Sequence, residues 1–238
     1  MSAGMAVHRI LRRHVRLLGS VLAVRTSEPS IVMTFDDGPE PPHTERVLQA
    51  LRARDAHATF FMLSGRAQRH AALVREVVDE GHEIALHGID HRPLRGLTAA
   101  EVTRRTRDGR TQLEDVAGVA IRWMRPPYGR QSPRTYAAIR RAGLMPVLWG
   151  GTSLDSADTD ARSRIASALR AAEPGMILLC HDGRAGPADG VDDGQIPPFD
   201  RGELTARILD ALSARGLGAT SLERALSAGR PRIGAWFG

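Results

Sequence analysis

The chain contains no lysine, so arginine alone supplies the cations behind its formal net charge of +6. Its single cysteine excludes an internal disulfide and leaves the redox compartment undecided. Aromatic residues make up only 4% of the sequence and are not interleaved with the arginines, which argues against nucleic-acid binding. The positive charge favours an acidic polymer or a membrane surface as a partner. Codon bias toward arginine explains the missing lysine more simply.

The first 29 residues differ from the rest of the chain. Four apolar residues recur there at roughly helical spacing: Val7, Leu11, Leu18 and Leu22. With the intervening arginines they predict a basic amphipathic arm over 1–29, docked on its own domain or touching a membrane through residues 1–25. The longest apolar run is too short to span a bilayer, and Gly19 and Ser20 interrupt it, so a signal peptide fits poorly. We expect a cytoplasmic or membrane-peripheral protein, with secretion left open.

After this arm the sequence alternates between short apolar runs and segments of helical period. The runs lie at 31–36, 58–63, 83–86, 121–124, 145–149, 176–181 and 217–220. Thr44, the pair Thr98 and Glu101, and Ser132 before Pro133 are typical of helix starts. Three glycines stand where helices should end: Gly81, Gly143 and Gly216. The alternation predicts an α/β fold, and seven repeats predict a barrel in one domain over 30–238.

Chemically capable side chains follow several of the predicted strands directly. They are Asp36, Asp37, His87, Arg125, His181 and Asp182. The carboxyl ends of the strands are where α/β barrels gather their active sites, so this edge is the predicted site. In HGIDH, His87 and His91 are four residues apart and can converge on one metal ion, with one carboxylate completing a facial ligand set. His82, in EGHEI, is predicted to be structural.

Four segments, TFDDGP, HGIDH, RPPYG and LLCHD, occur in the order and approximate spacing of the polysaccharide deacetylases. ATFFML and EGHEIALH fit the same pattern, and the resemblance to this NodB-homology group of carbohydrate esterases (family 4) covers about residues 30–228. It implies a distorted (β/α)7 barrel that removes N-acetyl groups from amino sugars. It also implies a carbohydrate substrate and one divalent metal ion, usually zinc, with cobalt, manganese or nickel as alternatives.

The resemblance assigns a metal-binding role to three residues. Asp37 resembles a ligand beside His87 and His91, and the ion would neutralise one carboxylate of the aspartate pair. Asp36 resembles the catalytic base that takes a proton from a water activated by the ion.

The remaining motif residues resemble the groups that support this chemistry. Arg125 resembles the residue that orients the base, and the backbone N–H of Tyr128 resembles a donor to the tetrahedral oxyanion. His181 resembles the general acid that protonates the leaving amine, and Asp155 aligns with the carboxylate that supports it.

The sequence departs from the family in the lining of the groove. Ser156 takes the place of a groove-lining tryptophan, which predicts a shorter or differently shaped substrate than extended chitin, unless Trp149 or Tyr136 replaces it. Gly88 stands where the family often has Ser or Thr. Cys180 replaces a usual aliphatic residue of the acetyl pocket and is predicted to be a small buried hydrophobe.

Segment 184–200 is rich in Gly, Pro and Asp and is predicted to be a solvated loop, with a lid or substrate contact as its functional alternative. Its aspartates fit no recognised calcium loop.

Removal of a formyl group, or opening of a cyclic amide, is the alternative enzymatic function. A glycan-binding pseudoenzyme fits less well, because binding alone needs neither Asp36 nor His181.

Overall fold

The computed structural model describes residues 19–194 and 198–237. The strands are β1 (Ser20–Arg25), β2 (Ser30–Asp36), β3 (Thr59–Leu63), β4 (Glu83–Gly88), β5 (Trp123–Met124), β6 (Met145–Pro146), β7 (Gly151–Thr152), β8 (Ile177–His181), β9 (Gly218–Thr220) and β10 (Arg230–Gly234). The helices are α1 (His43–Arg52), α2 (Ser64–Arg69), α3 (Ala71–Asp79), α4 (Ala99–Ala117), α5 (Pro133–Arg141), α6 (Ala161–Arg170), α7 (Arg201–Ser213) and α8 (Leu222–Ser227). Among these residues no helix is long and apolar enough to cross a bilayer.

The main sheet is parallel and curled, with the strand order β6-β5-β4-β3-β2-β8-β7 and with β9 paired to β2. This topology confirms the predicted α/β fold and the distorted (β/α)7 barrel. In the register, Asp36 on β2 lies beside Phe61 on β3 and His181 on β8. The carboxyl ends of neighbouring strands therefore bring residues that are far apart in sequence to one edge.

Strand β1 differs from the helical pattern predicted for the arm. Residues 20–25 pair antiparallel with β10, and Val21 and Val24 are buried. The carbonyl of Val21 accepts from the backbone N–H of Leu148 at 2.9 Å, so the strand reaches the edge of the barrel. Strand pairing and the burial of its β-branched valines determine the conformation of this stretch. These two effects outweigh the helical spacing of Leu22 from the upstream leucines. Predictions about residues 1–18 lie outside the described residues.

The helix signals are confirmed with one exception. Thr98 and Glu101 form the predicted capping box of α4, and Ser132 caps α5. The three predicted glycines have positive φ after helices α3, α5 and α7. Thr44 is not a cap, because α1 begins one residue earlier, at His43. The Thr44 hydroxyl instead donates to a carboxylate oxygen of Asp182 at 2.7 Å.

The core consists of two apolar clusters on the two faces of the sheet. Phe60 packs with the larger cluster, which includes residues of the surrounding helices, whereas the next residue, Phe61, packs with the smaller one. This alternation is the period of a strand. The ring of Phe61 lies 4.0 Å from the guanidinium of Arg125, so the smaller cluster forms the floor beneath the polar residues at the strand ends.

Candidate active site

The aspartate pair lies where β2 ends. Asp36 is the last residue of the strand, and Asp37 follows with a φ of 75°, a left-handed conformation that Asp tolerates better than most residues. Both side chains are buried at the carboxyl edge of the barrel. The turn separates the surroundings of the two carboxylates, and each has its own set of partners.

Asp37 lies between two imidazoles. Its Oδ1 is 3.4 Å from Nε2 of His87 and 3.3 Å from Nε2 of His91, and all three side chains are buried. Nδ1 of His87 donates to the carbonyl of Arg125 at 2.8 Å, which leaves Nε2 free to act as a ligand. One potential ligand atom from each of the three residues lies within 4.8 Å of the others.

The donor set fits a divalent cation. Asp37 Oδ1 is buried and has no hydrogen-bond partner among the described residues, which is costly for a carboxylate unless a cation lies beside it. Burial raises the pKa of Asp37, but the close contact with the His87 imidazole and the charges of the nearby histidines lower the pKa by more, so the net direction is down. An ionised carboxylate with two imidazoles is a ligand set typical of zinc.

Asp36 is paired with a buried arginine. Nη1 of Arg125 donates to Asp36 Oδ1 at 2.6 Å and to the Thr34 hydroxyl at 2.9 Å, and Nη2 donates to the Leu148 carbonyl at 3.3 Å. Arg125 has no exposed surface. The salt bridge fixes Oδ1 of Asp36, whereas Oδ2 lies 3.8 Å from Nε2 of His87, next to the candidate metal ligands.

His181 is the last residue of β8 and is hydrogen-bonded to the carboxylate of Asp155. Its Nδ1 donates to Asp155 Oδ1 at 2.7 Å, and its backbone N–H donates to Asp155 Oδ2, also at 2.7 Å. Burial lowers the pKa of His181, but the charge and hydrogen bond of Asp155 raise it more, to about 9. The imidazole is therefore protonated at neutral pH, with Nδ1 engaged and Nε2 left free for another proton transfer.

Arg125 and Asp155 hydrogen-bond to Asp36 and His181 but do not line the cavity themselves. One cavity of about 460 Å³ is lined by Asp36, Asp37, His87, His91 and His181. Its other lining residues are Tyr128, Gly129, Arg130, Trp149, Ser156, Leu179, Arg184, Ala185 and Asp193. Of the two predicted substitutes for the missing tryptophan, Trp149 lines the cavity. Tyr136 does not, because it is buried and its ring lies edge-on to Phe237. Asp182 is buried and does not line the cavity, and its carboxylate accepts from the Thr44 hydroxyl.

Two departures from the family motifs have structural explanations. Gly88 has a φ of 144°, and a Cβ there would lie 2.6 Å from the Asp90 carbonyl oxygen, so a larger residue does not fit this turn. Cys180 is buried among apolar residues, as predicted. The preceding residue, Leu179, lines the cavity, whereas Cys180 does not. His82 is buried as expected, and its Nδ1 accepts from the backbone N–H of Ala58 at 3.4 Å.

All eight predicted site residues thus converge, but sequence reasoning missed several lining residues. The sequence motif indicates a role only for the backbone N–H of Tyr128, but the side chain also contacts a lining residue, because its hydroxyl donates to Asp193 at 2.7 Å. Asp193 and Arg184 lie in the loop after β8, and the only sequence signal for them was that this loop directly follows His181.

A model of the family described as polysaccharide deacetylase matches residues 23–147, which is more than half of the chain. The chain belongs to the polysaccharide deacetylase family. This membership confirms the resemblance found in the sequence motifs. The matched region holds the aspartate pair, both candidate histidine ligands and Arg125, whereas Asp155 and His181 lie beyond it.

Relatives within this family are similar over most of the chain. The chitooligosaccharide deacetylase of Azorhizobium caulinodans is 34% identical over 171 residues, which cover 70% of this chain and 80% of the relative. The peptidoglycan-N-acetylglucosamine deacetylase of Bacillus cereus is 34% identical over 177 residues, which cover 73% and 83%. The solved structure of the Bc1960 peptidoglycan N-acetylglucosamine deacetylase has the same fold, with a TM-score of 0.77 at 23% identity, covering 93% of this chain and 99% of that one.

Proposed function

We propose that this chain is a metal-dependent hydrolase that removes N-acetyl groups from an amino-sugar glycan or glycan precursor. The observation that carries the proposal is the convergence of three units on one cavity. These are the candidate ligands around Asp37, the Asp36–Arg125 pair and the His181–Asp155 pair. The names of the relatives support the same activity.

Asp37, His87 and His91 would hold the metal ion, for which zinc is the best match to the donor set. A bound divalent ion supplies a Lewis acid that polarises a carbonyl oxygen and makes water more acidic. The protein residues around it then position the proton donor and acceptor that amide hydrolysis needs.

Asp36 acts as the general base in this proposal. Arg125 holds Oδ1, so the carboxylate cannot rotate away, and Oδ2 is placed beside the candidate ligand His87 to accept a proton from the attacking water. The buried guanidinium does not line the cavity, so it acts there through Asp36. Loss of Arg125 would therefore leave the base free to reorient.

His181 acts as the general acid on the leaving group. An amine anion is a poor leaving group, so the amide nitrogen must gain a proton as the C–N bond breaks. Asp155 accepts from Nδ1 and keeps the imidazole protonated, which leaves the proton on Nε2 for transfer. The backbone N–H of Tyr128 is proposed to donate to the oxyanion, and Leu179 and Trp149 border the space for the acyl group and sugar.

The test is the release of acetate and formate over a panel of acetylated substrates: chitin oligomers, peptidoglycan fragments and N-acetylglucosamine itself. Acetate release from at least one amino sugar, with no formate from N-formyl analogues, is the expected result. Formate release or ring opening without acetate would favour the alternative hydrolase. Glycan binding without any product would contradict an enzymatic function.

A further inference from the structure

The two histidines of the candidate metal site differ at their outer nitrogen. Nδ1 of His87 donates to the Arg125 carbonyl at 2.8 Å. Nδ1 of His91 is buried and has no hydrogen-bond partner among the described residues. A metal-binding histidine almost always donates its other ring N–H to an oxygen, because that bond fixes the tautomer and the ring orientation. The second ligand therefore lacks a partner that the first one has.

The carboxylate of Asp193 lies next to this unpaired nitrogen. Its Oδ2 is 3.6 Å from Nδ1 of His91, which is an ion-pair distance but too long for a hydrogen bond. The Asp193 side chain is about one-third exposed, and a shift of a few tenths of an ångström would bring Oδ2 within hydrogen-bond distance of Nδ1. The ring of Tyr128 packs against that of His91, with 4.4 Å between the ring centroids.

Asp193 is itself held in place from two directions. The Tyr128 hydroxyl donates to both of its carboxylate oxygens, at 2.7 and 2.9 Å. Nη2 of Arg184 donates to the carbonyls of Asp193 at 2.7 Å and Gly194 at 3.1 Å. These hydrogen bonds to its side chain and its backbone thus hold the Asp193 carboxylate beside His91.

We propose that Asp193 is a positioning residue for the metal site. Its carboxylate accepts the Nδ1 proton of His91, fixes the tautomer that presents Nε2 beside Asp37 and raises the basicity of that nitrogen. This inference rests on the proposed metal site. It adds a residue from the loop after β8, which lies outside the region matched to the family. Through Asp193 this loop would help to position a metal ligand and would not be only a solvated connection.

The test compares zinc affinity in full-length Asp193→Asn and Asp192→Asn proteins. Each apoprotein competes for Zn²⁺ with a chromophoric chelator at one pH. Asparagine preserves the size of Asp193 but removes its charge, and we expect Kd to rise about 10–100-fold. Asp192 is the matched control, because its side chain accepts only from the Gly194 backbone N–H in the described structure. Its amide variant should bind zinc as the wild type does.

Two further variants separate positioning from loss of loop structure. Asp193→Glu retains a carboxylate and should recover most of the affinity lost in the amide variant. Tyr128→Phe removes one anchor but leaves the carboxylate, so its loss should be smaller than that of Asp193→Asn. Equal zinc affinity in wild type and Asp193→Asn, or an equal loss in the Asp192 control, would overturn the inference. Wild-type protein that binds no zinc would instead overturn the proposed metal site.

Discussion

The two halves of the chain contribute to the cavity in different ways. Residues 23–147 supply the three candidate ligands and the Asp36–Arg125 pair, all buried and at or just after the ends of β2, β4 and β5. Residues 148–237 supply the His181–Asp155 pair and the loop that carries Asp193. The first half resembles the family closely in its motifs. The second half carries Ser156 in place of the expected tryptophan, and the first half has its own departure from the family motifs at Gly88.

This difference separates the tasks of the two halves. The candidate ion site and the paired base depend on short motifs at the ends of strands. In the proposed function the second half meets the leaving group and the sugar, and its loop after β8 also brings Asp193 beside the candidate ligand His91. Variants in each half test this division of tasks between the two parts of the chain.

His91→Ala should remove the bound metal and reduce acetate release to the background rate. The variant deletes one of only two imidazoles in the ligand set. Metal content by mass spectrometry and acetate release measure both effects. His70→Ala is the control, because His70 lies between α2 and α3, outside the cavity lining, and should retain both. Full metal content in His91→Ala would contradict the ligand assignment.

Asp36→Asn should retain the metal and lower kcat by about 10²–10⁴-fold, which is the typical contribution of a general base. It should also lower the free energy of unfolding by about 3–5 kcal/mol, because the buried Arg125 loses its charge partner. Metal content, kcat and urea unfolding distinguish these effects. If the metal were lost, the roles of Asp36 and Asp37 would be reversed.

His181→Ala tests the second half in the same way. Loss of the general acid should lower kcat on the amide by about 10²–10⁴-fold with the metal retained. An activated ester analogue, whose leaving group needs no proton, should lose much less. An equal loss on both substrates would show that His181 does not act as the acid.

Asp155→Asn should change the pH profile more than the fold. In the wild type the Asp155 charge helps to raise the pKa of His181 to about 9, so activity is present at neutral pH and falls as the pH rises through that value. Without that charge the pKa of His181 falls, because burial still lowers it and only the charges of Asp37 and Asp36 still raise it, so the falling limb of kcat moves toward lower pH. A limb that stays in place in the variant would exclude His181 as the titrating acid.

Ser156→Trp should have the smallest effect and tests the altered groove. In the wild type we expect kcat/KM to rise only slightly with chitin oligomer length. A tryptophan at this lining position should favour longer oligomers by up to about tenfold, from an added stacking energy of about 0.5–1.5 kcal/mol. A steep rise with length in the wild type would contradict a shortened groove.

The sequence predicted what is encoded locally. The seven apolar runs, the capping signals and the motifs of the candidate site each depend on neighbouring residues, and the parallel topology then brings the strand ends together. What it missed depends on distant partners. The conformation of β1 depends on its pairing with β10, and the role of Thr44 depends on its hydrogen bond to Asp182. The position of Asp193 depends on contacts with Tyr128 and Arg184. No periodicity within a segment records such partners.

The most direct measurement is acetate release before and after exhaustive chelation of the wild-type protein, on a substrate it is shown to cleave. The account predicts that activity falls to background and returns with about one equivalent of Zn²⁺ per chain, since one ligand set lies in the cavity. Activity that survives complete removal of metal would contradict a metal-dependent deacetylase, whatever the Asp36 and His181 variants show.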